Sequence, residues 1–394
     1  MNKNSLLFKA SLLSISLVIA AGPAVSSLIP LIQESFPEQS TSSIELIATV
    51  PNFGILIFVL LSNFVLKIIG KKNTVVLGLA IALIAGIIPV FVDNYTVILI
   101  SRFFFGAGIG LFNALAVSLI SELYEGNQLA SLMGLQAAMG SIGSTLLTFL
   151  VGYFTRFGWQ NSFLVYTLTV LPLVLFTLVV KLPSDDKTMI ADANTQKQKE
   201  SVNIATIVMA VFAFVVFALF FVVMLKMSSF LVEKGIGNPG NAASILGSIT
   251  IVGILVGLFY GKIFKVLKQM VLPIGLVGMG VGFIIILMAN SVTMAMVGTV
   301  VSGFFYSLAA PFMFMLVGQV APKNSGNLAT ALLLIGINLG VFLSPKVNSL
   351  LGNLFGTNSS ASSFLINGIG LMILGVVSFV LIGVLNKKTT AQQV

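Results

Sequence analysis

The chain has 394 residues, 57% of them hydrophobic and only 8% charged, with a formal net charge of +9 and neither Cys nor His. Soluble domains carry about 25% charged residues, so a soluble fold is excluded and most of the chain must meet lipid. Lacking Cys and His, it has no disulfide framework and no thiolate or imidazole metal site; no metal or other cofactor is expected.

Taken in chain order, apolar runs long enough for a bilayer's roughly 30 Å of hydrocarbon fall at about 8–32, 43–66, 74–92, 96–121, 130–153, 162–181, 204–232, 242–264, 271–289, 292–319, 328–351 and 362–386. Each is apolar throughout rather than alternating, which predicts helices and not barrel strands. The first run follows Lys3 and Lys9 and resembles a signal peptide, but so many later runs make an uncleaved first span the better reading. Pro51, Pro89, Pro172 and Pro311 fall inside runs, where neighbouring helices can satisfy the backbone groups they free. The expected fold is an all-α polytopic membrane protein: 12 transmembrane helices in two six-helix bundles related by pseudo-two-fold symmetry.

Orientation follows from the loops. With a cytoplasmic N-terminus, fifteen of the twenty Lys and Arg residues fall on that side, Arg156, Lys234 and Lys346 lie outside, and Arg102 and Lys226 sit within spans. This bias predicts a multi-pass protein of the cell membrane with both termini cytoplasmic. The cations lie between apolar runs, where orientation and anionic headgroups explain them; no nucleic-acid partner is expected. The hydrophilic stretch "KLPSDDKTMIADANTQKQKESVN" divides an N-terminal bundle (1–181) from a C-terminal bundle (204–394) through a cytoplasmic linker (182–203).

The halves repeat weakly. "NFVLKIIGKK" (63–72) after span 2 matches "GKIFKVLKQM" (261–270) after span 8, with Lys67 and Lys265 at the fifth position of each. "VSSLIPLIQE" (25–34) echoes "MSSFLVEKG" (227–235) in the same way. Internal duplication is how many secondary transporters are built, with the substrate site near the midplane.

Three motifs sharpen this. "RFFFGAGIG" (102–110) places an Arg four residues before G-x-G, "NFVLKIIGKK" joins spans 2 and 3, and "GWQNSFLVY" (158–166) holds the single Trp. With these motifs the chain resembles the major facilitator superfamily over nearly its whole length. The resemblance implies alternating-access transport, with helices 1, 4, 7 and 10 lining a central cavity. Departures accompany it. The loop motif has Asn63 and Lys67 where the family has Gly and Asp, and "YEGNQLAS" (124–131) lacks the family's Arg. A charge-swapped cytoplasmic latch, Lys67 with Glu122 or Glu125, is one reading, and three solvated charges the other. Span 5 has Gly140, Gly143 and Ser144 but lacks the Gly-Pro of drug–proton antiporters; its small residues suit close helix approach.

On span 4, Arg102, Phe105, Ile109 and Asn113 share a helical face. Arg102 and Asn113, Lys226 on span 7 and Tyr306 on span 10 are the candidate substrate-binding residues; Ser26, Ser27, Gln136 and Asn338 are weaker ones. Snorkelling to the interface competes for both cations, and for Arg102 the partner is either substrate or another helix. No Asp or Glu lies deep in any run, Glu34, Glu45, Asp93 and Glu122 all being near ends. A positive site in low dielectric favours a carboxylate held by Arg. The expected function is therefore secondary transport of a small organic solute with a carboxylate, an amino acid or organic acid, by a monomer in the lipid bilayer, with proton coupling left open. A proton-coupled multidrug efflux antiporter is the alternative. No repeated filter element suggests a channel, and no enzyme site is expected: no catalytic residue is assigned.

Overall fold

The computed structural model describes residues 5–19, 21–180, 201–322, 325–357 and 359–391. Among them all regular structure is helical. The expected linker at 182–203 lies mostly outside the described residues. The chain divides into two compact units, Met1–Lys199 and Glu200–Val394.

Helix 1 is broken. Ser5 caps its start by accepting the Phe8 amide, and α-helical pieces at Leu6–Ser14 and Ser16–Ile19 give way to a 3₁₀ stretch, Gly22–Leu28, before Ile29–Ser35. Pro23 and Pro30 cannot donate to the helical ladder and Gly22 is a weak helix former, so a regular span cannot run through this segment. Helices 2 and 3 form one long stretch, Thr41–Ile87, interrupted only at Gly70 (φ 79°, ψ 165°). Fully extended it would measure about 70 Å, more than twice the hydrocarbon thickness, so it folds back at Gly70 as two spans. Helix 4 (Tyr95–Leu123, capped by Asn94) and helix 5 (Gly126–Phe154) are regular. Helix 6 starts as a 3₁₀ stretch, Gln160–Thr169, and continues as Val170–Val179.

The second unit repeats this plan. Helix 7 comprises Ile204–Phe220 and Val222–Glu233, interrupted only at Phe221, and runs as one continuous span. Helix 8 (Pro239–Leu267) begins with a reciprocal Asn238/Asn241 capping box, and a tight turn leads to helix 9 (Val271–Leu287). Helices 10 (Val292–Val320), 11 (Gly326–Leu354) and 12 (Ser360–Ala391) follow. The 8–9 turn passes through Lys268 at φ 49°, ψ −126°. In the sequence repeat Lys268 occupies the place of Gly70, so both halves reverse direction at the same motif position with a positive φ.

Among the described residues, nine helical stretches are individually long and apolar enough to cross a membrane. Two of them, Thr41–Val90 and Pro239–Leu287, are hairpins of two spans each, and the broken first helix adds one more. The architecture is the expected twelve spans in two six-helix bundles.

Packing recurs between the units. Helix 1 packs on 5, helices 2 and 3 on 4, and 3 on 6; helix 7 packs on 11, helices 8 and 9 on 10, and 9 on 12. In lipid, association rests on close van der Waals contact rather than on expulsion of water, and the glycines show it. A Cβ on Gly143 of helix 5 would collide with the Leu17 backbone of helix 1, the close approach expected of that helix. Loops at one end of each unit are pinned across the bundle. In the first, Trp159 Nε1 donates to Ser35 Oγ (2.8 Å), Tyr95 Oη to the Ser43 carbonyl (2.8 Å) and Gln160 to Asp93 (3.1 Å). In the second, the Glu233 carboxylate accepts from the Ser360 amide (3.1 Å) and hydroxyl (2.8 Å), while Lys234 Nζ donates to the Leu287 carbonyl (2.8 Å).

Candidate functional site

The site is built around Pro51. An interior proline has no N–H, so the carbonyl four residues earlier, Ile47 O, loses its helical donor. Arg102 of helix 4 supplies the replacement: its Nε donates to Ile47 O at 3.2 Å. Its Nη2 donates to Gly22 O at 2.8 Å, at the break of helix 1. The approach is possible because the next turn of helix 4 is glycine. A Cβ on Gly106 would overlap the Pro51 backbone, and one on Gly110 would lie 2.8 Å from Ile55 O; Gly108 turns the other way, toward Gly78 and Ala82 of helix 3. The motif "RFFFGAGIG" is thus a contact code, Arg102 and two glycines for helix 2 and one glycine for helix 3.

Aromatic rings enclose the guanidinium. Phe105, Tyr166 and Phe163 have centroids 4.6, 5.1 and 5.7 Å from Arg102 Cζ, and Tyr166 Oη donates to the Ala21 carbonyl (3.1 Å), also at the helix 1 break. Arg102 is fully buried. This geometry excludes snorkelling: the side chain runs into the bundle, to backbone carbonyls. Among the described residues Arg102 makes no ion pair, and its Nη1 is buried without a hydrogen-bond partner. Among the described residues the cation is surrounded by carbonyl dipoles, ring faces and the Tyr166 hydroxyl.

The remaining candidates separate. Asn113 lies eleven residues further along the same face of helix 4, about 16 Å away, partly exposed and without a side-chain hydrogen bond among the described residues. Ser26 and Ser27 are fully buried on helix 1, Gln136 is half-buried, and Asn338 donates to its own helix at Leu334 O (2.8 Å). In the second unit Lys226 is 8% exposed on the second segment of helix 7. Tyr306 stacks face to face on Phe220, which ends the first segment of that helix (centroids 4.3 Å, 1° between planes). Phe217 meets the Tyr306 ring edge-on. Arg102 therefore lies against the break of helix 1, and Tyr306 against helix 7 beside the interruption at Phe221.

The charges expected at this end of the first unit pair differently. Lys71 Nζ, not Lys67, lies 2.6 Å from Glu122 Oε2. Lys67 and Glu125 are exposed and make no ion pair or side-chain hydrogen bond among the described residues. The reason is the turn at Gly70: Lys67 still belongs to helix 2, whereas Lys71 follows the reversal and faces the end of helix 4. Lys72 Nζ extends the connection to the Thr177 carbonyl of helix 6 (2.8 Å). Beside it, burial pushes the Tyr124 phenol above its ordinary value near 10, and Lys9 Nζ stands 5.6 Å from that ring.

Sequence reasoning missed several groups. Phe163 and Tyr166 lie within the motif "GWQNSFLVY", but nothing in that motif assigned their rings to Arg102. Pro51 did carry one, since its spacing from Ile47 marks an orphaned carbonyl in need of a donor. Glu45 lies near the start of helix 2 as expected, yet it is 1% exposed. A buried chain of Ser344, Asn348 and Asn367 also went unseen. Ser344 donates to Ala218 O (2.7 Å), Asn348 Nδ2 to Ser344 O (2.8 Å) and Asn367 Nδ2 to Asn348 Oδ1 (2.6 Å), tying helices 7, 11 and 12.

Twelve apolar helices in two six-helix units, the first opening on a broken helix whose carbonyl is held by a buried Arg, are the architecture of a secondary transporter. The family model of the Major Facilitator Superfamily matches residues 11–270 and 236–393. The chain belongs to that superfamily, which is made of transporters and not enzymes. Solved structures share the fold at low identity. The inward-open xylose transporter XylE from E. coli is 14% identical (TM-score 0.74, 94% of each chain covered). A variant of the nucleoside transporter NupG is 11% identical (TM-score 0.77, 95% of this chain and 99% of that one). The peptide transporter POT in complex with sulfate is 12% identical (TM-score 0.76, 96% and 94%). No curated protein matches the sequence.

Proposed function

We propose that this transporter resides in the cell membrane with both termini cytoplasmic and moves a small organic solute bearing a carboxylate by alternating access. One observation carries the reading: among the described residues Arg102 is a fully buried cation that makes no ion pair, and its Nη1 meets no hydrogen-bond acceptor. A carboxylate at Nη1 would gain a charge-assisted bond in low dielectric and relieve an otherwise uncompensated charge. The rings around the guanidinium, and the Tyr306–Phe220 stack in the other unit, suit an organic body over a small inorganic anion. Asn113 and Lys226 are the further polar contacts of this proposal. Lys71 and Glu122 form the gate contact on the basic side, with Lys67 and Glu125 flanking it.

A second reading, a proton-coupled multidrug antiporter, draws on Glu45. A carboxylate at 1% exposure on helix 2, two residues before the Ile47 carbonyl held by Arg102, is suited to carrying a proton. The test is flux into proteoliposomes against anionic, zwitterionic and cationic solutes, with and without a pH gradient. The proposal expects preference for carboxylates, lost in Arg102→Ala. Preference for cations, with a pH-gradient dependence removed by Glu45→Gln, would replace it with the second reading.

A further inference from the structure

A groove opens toward lipid on the second unit, where helices 9, 10 and 12 meet. Its volume is about 470 Å³, and Pro273, Val277, Gly278, Phe305, Gly375 and Phe379 contribute its walls. That size falls in the roughly 300–1,000 Å³ range of small-ligand pockets. The lining, however, offers almost no polar atom. A solute pocket normally includes a few convergent polar groups; this one can hold only a hydrocarbon.

The position of the groove specifies which hydrocarbon. Pro273 and Ile274 are the third and fourth residues of helix 9, directly after the 8–9 turn, so the groove begins at that end of the membrane. The turn carries exposed Lys268, five residues before Pro273, with exposed Lys265 and Lys262 preceding it on the last turns of helix 8. Lys268 makes no side-chain hydrogen bond or ion pair among the described residues. It also holds φ 49° and ψ −126°, a conformation natural for glycine and costly for lysine. The first half places Gly70 at the same repeat position. The second half thus tolerates backbone strain to keep a cation at the mouth of an apolar groove.

We propose that this groove is a binding site for one anionic phospholipid of the adjoining leaflet, its acyl chain between helices 9, 10 and 12 and its phosphate at Lys268. The charge complementarity favours a lipid over a second copy of the chain, whose matching turns would bring lysines together. The proposal does not depend on the transported solute.

Native mass spectrometry of the intact detergent-solubilised protein, titrated with phosphatidylglycerol or phosphatidylcholine, tests it. The wild type should retain one phosphatidylglycerol in preference to phosphatidylcholine. Lys268→Gly, which eases the backbone, should lose about fivefold of that preference, the factor corresponding to roughly 1 kcal/mol per basic residue at a membrane surface. Lys268→Arg should keep it. Ile274→Trp, filling the groove from its exposed side, should lose the bound lipid of either kind. A thermal midpoint for Lys268→Gly at or above that of the wild type confirms folding. Equal retention of the two lipids by the wild type, an unchanged preference in Lys268→Gly, or an unchanged adduct in Ile274→Trp would each overturn the proposal. So would a dimer that Ile274→Trp dissociates, which would assign the groove to self-association.

Discussion

The pairing of Arg102 with a proline-freed carbonyl makes a quantitative prediction. Arg102→Lys keeps the charge but replaces a fork by a single donor point, so one ammonium cannot serve both Ile47 O and Gly22 O. The 2.8 Å bond to Gly22 is the shorter, and the 3.2 Å bond to Ile47 is the one expected to fail. A buried carbonyl left without a donor costs about 1–3 kcal/mol, or roughly 2–4 °C in thermal midpoint per kcal/mol for a unit of this size. Pro51→Ala restores an amide at position 51, which reaches Ile47 O from within helix 2. In that background Arg102→Lys should cost less by about 1–2 kcal/mol, because the carbonyl no longer depends on helix 4. The double-mutant cycle isolates this coupling. Unfolding can be followed through Trp159, the single tryptophan, which reports on the first unit through its bond to Ser35. Additivity within about 0.3 kcal/mol would refute the assignment of Nε to the proline gap.

Three further outcomes follow from the same contacts. Gly106→Ala places a methyl group in the Pro51 backbone; forced separation of helices 2 and 4 should cost about 1–3 kcal/mol or more, seen as a lowered unfolding midpoint, whereas Gly134→Ala, inside helix 5 with open space around its Cβ, should leave the midpoint unlowered or raise it. Lys71→Glu should slow transport and Lys71→Glu/Glu122→Lys recover it, while either single change alters stability by no more than about 1 kcal/mol because the pair is exposed; the rate in liposomes and its loss of sensitivity at high salt are the checks. Glu233→Ala removes the carboxylate that caps helix 12 through Ser360 and should cost about 0.5–2 kcal/mol, the usual value of a helix cap, with faster amide exchange over the first turn of that helix.

The membrane class, the twelve spans and the two-fold repetition were legible in the sequence because each is a one-dimensional property. Hydrocarbon thickness sets the length of every apolar run, and the absence of water forces helical backbone pairing within it. The repeat was legible as a repeat, but that the chain reverses at its eighth position, Gly70 and Lys268, came from the structure. The motif around Arg102 was legible as a motif but not as a contact. Which carbonyls it serves depends on Ile47, freed by a proline in helix 2, and Gly22, at a break in helix 1, fifty-five and eighty residues away. The Lys71–Glu122 ion pair shows the same limit on a smaller scale. Lys67 and Lys71 are equally plausible on a linear chain, and only the backbone reversal between them decides which one faces Glu122. The lipid groove was invisible for the same reason, its walls coming from three helices spread over about a hundred residues. Local chemistry along the chain determines what each segment must be; the close approach of helices, set by where glycine and proline permit it, determines which groups meet.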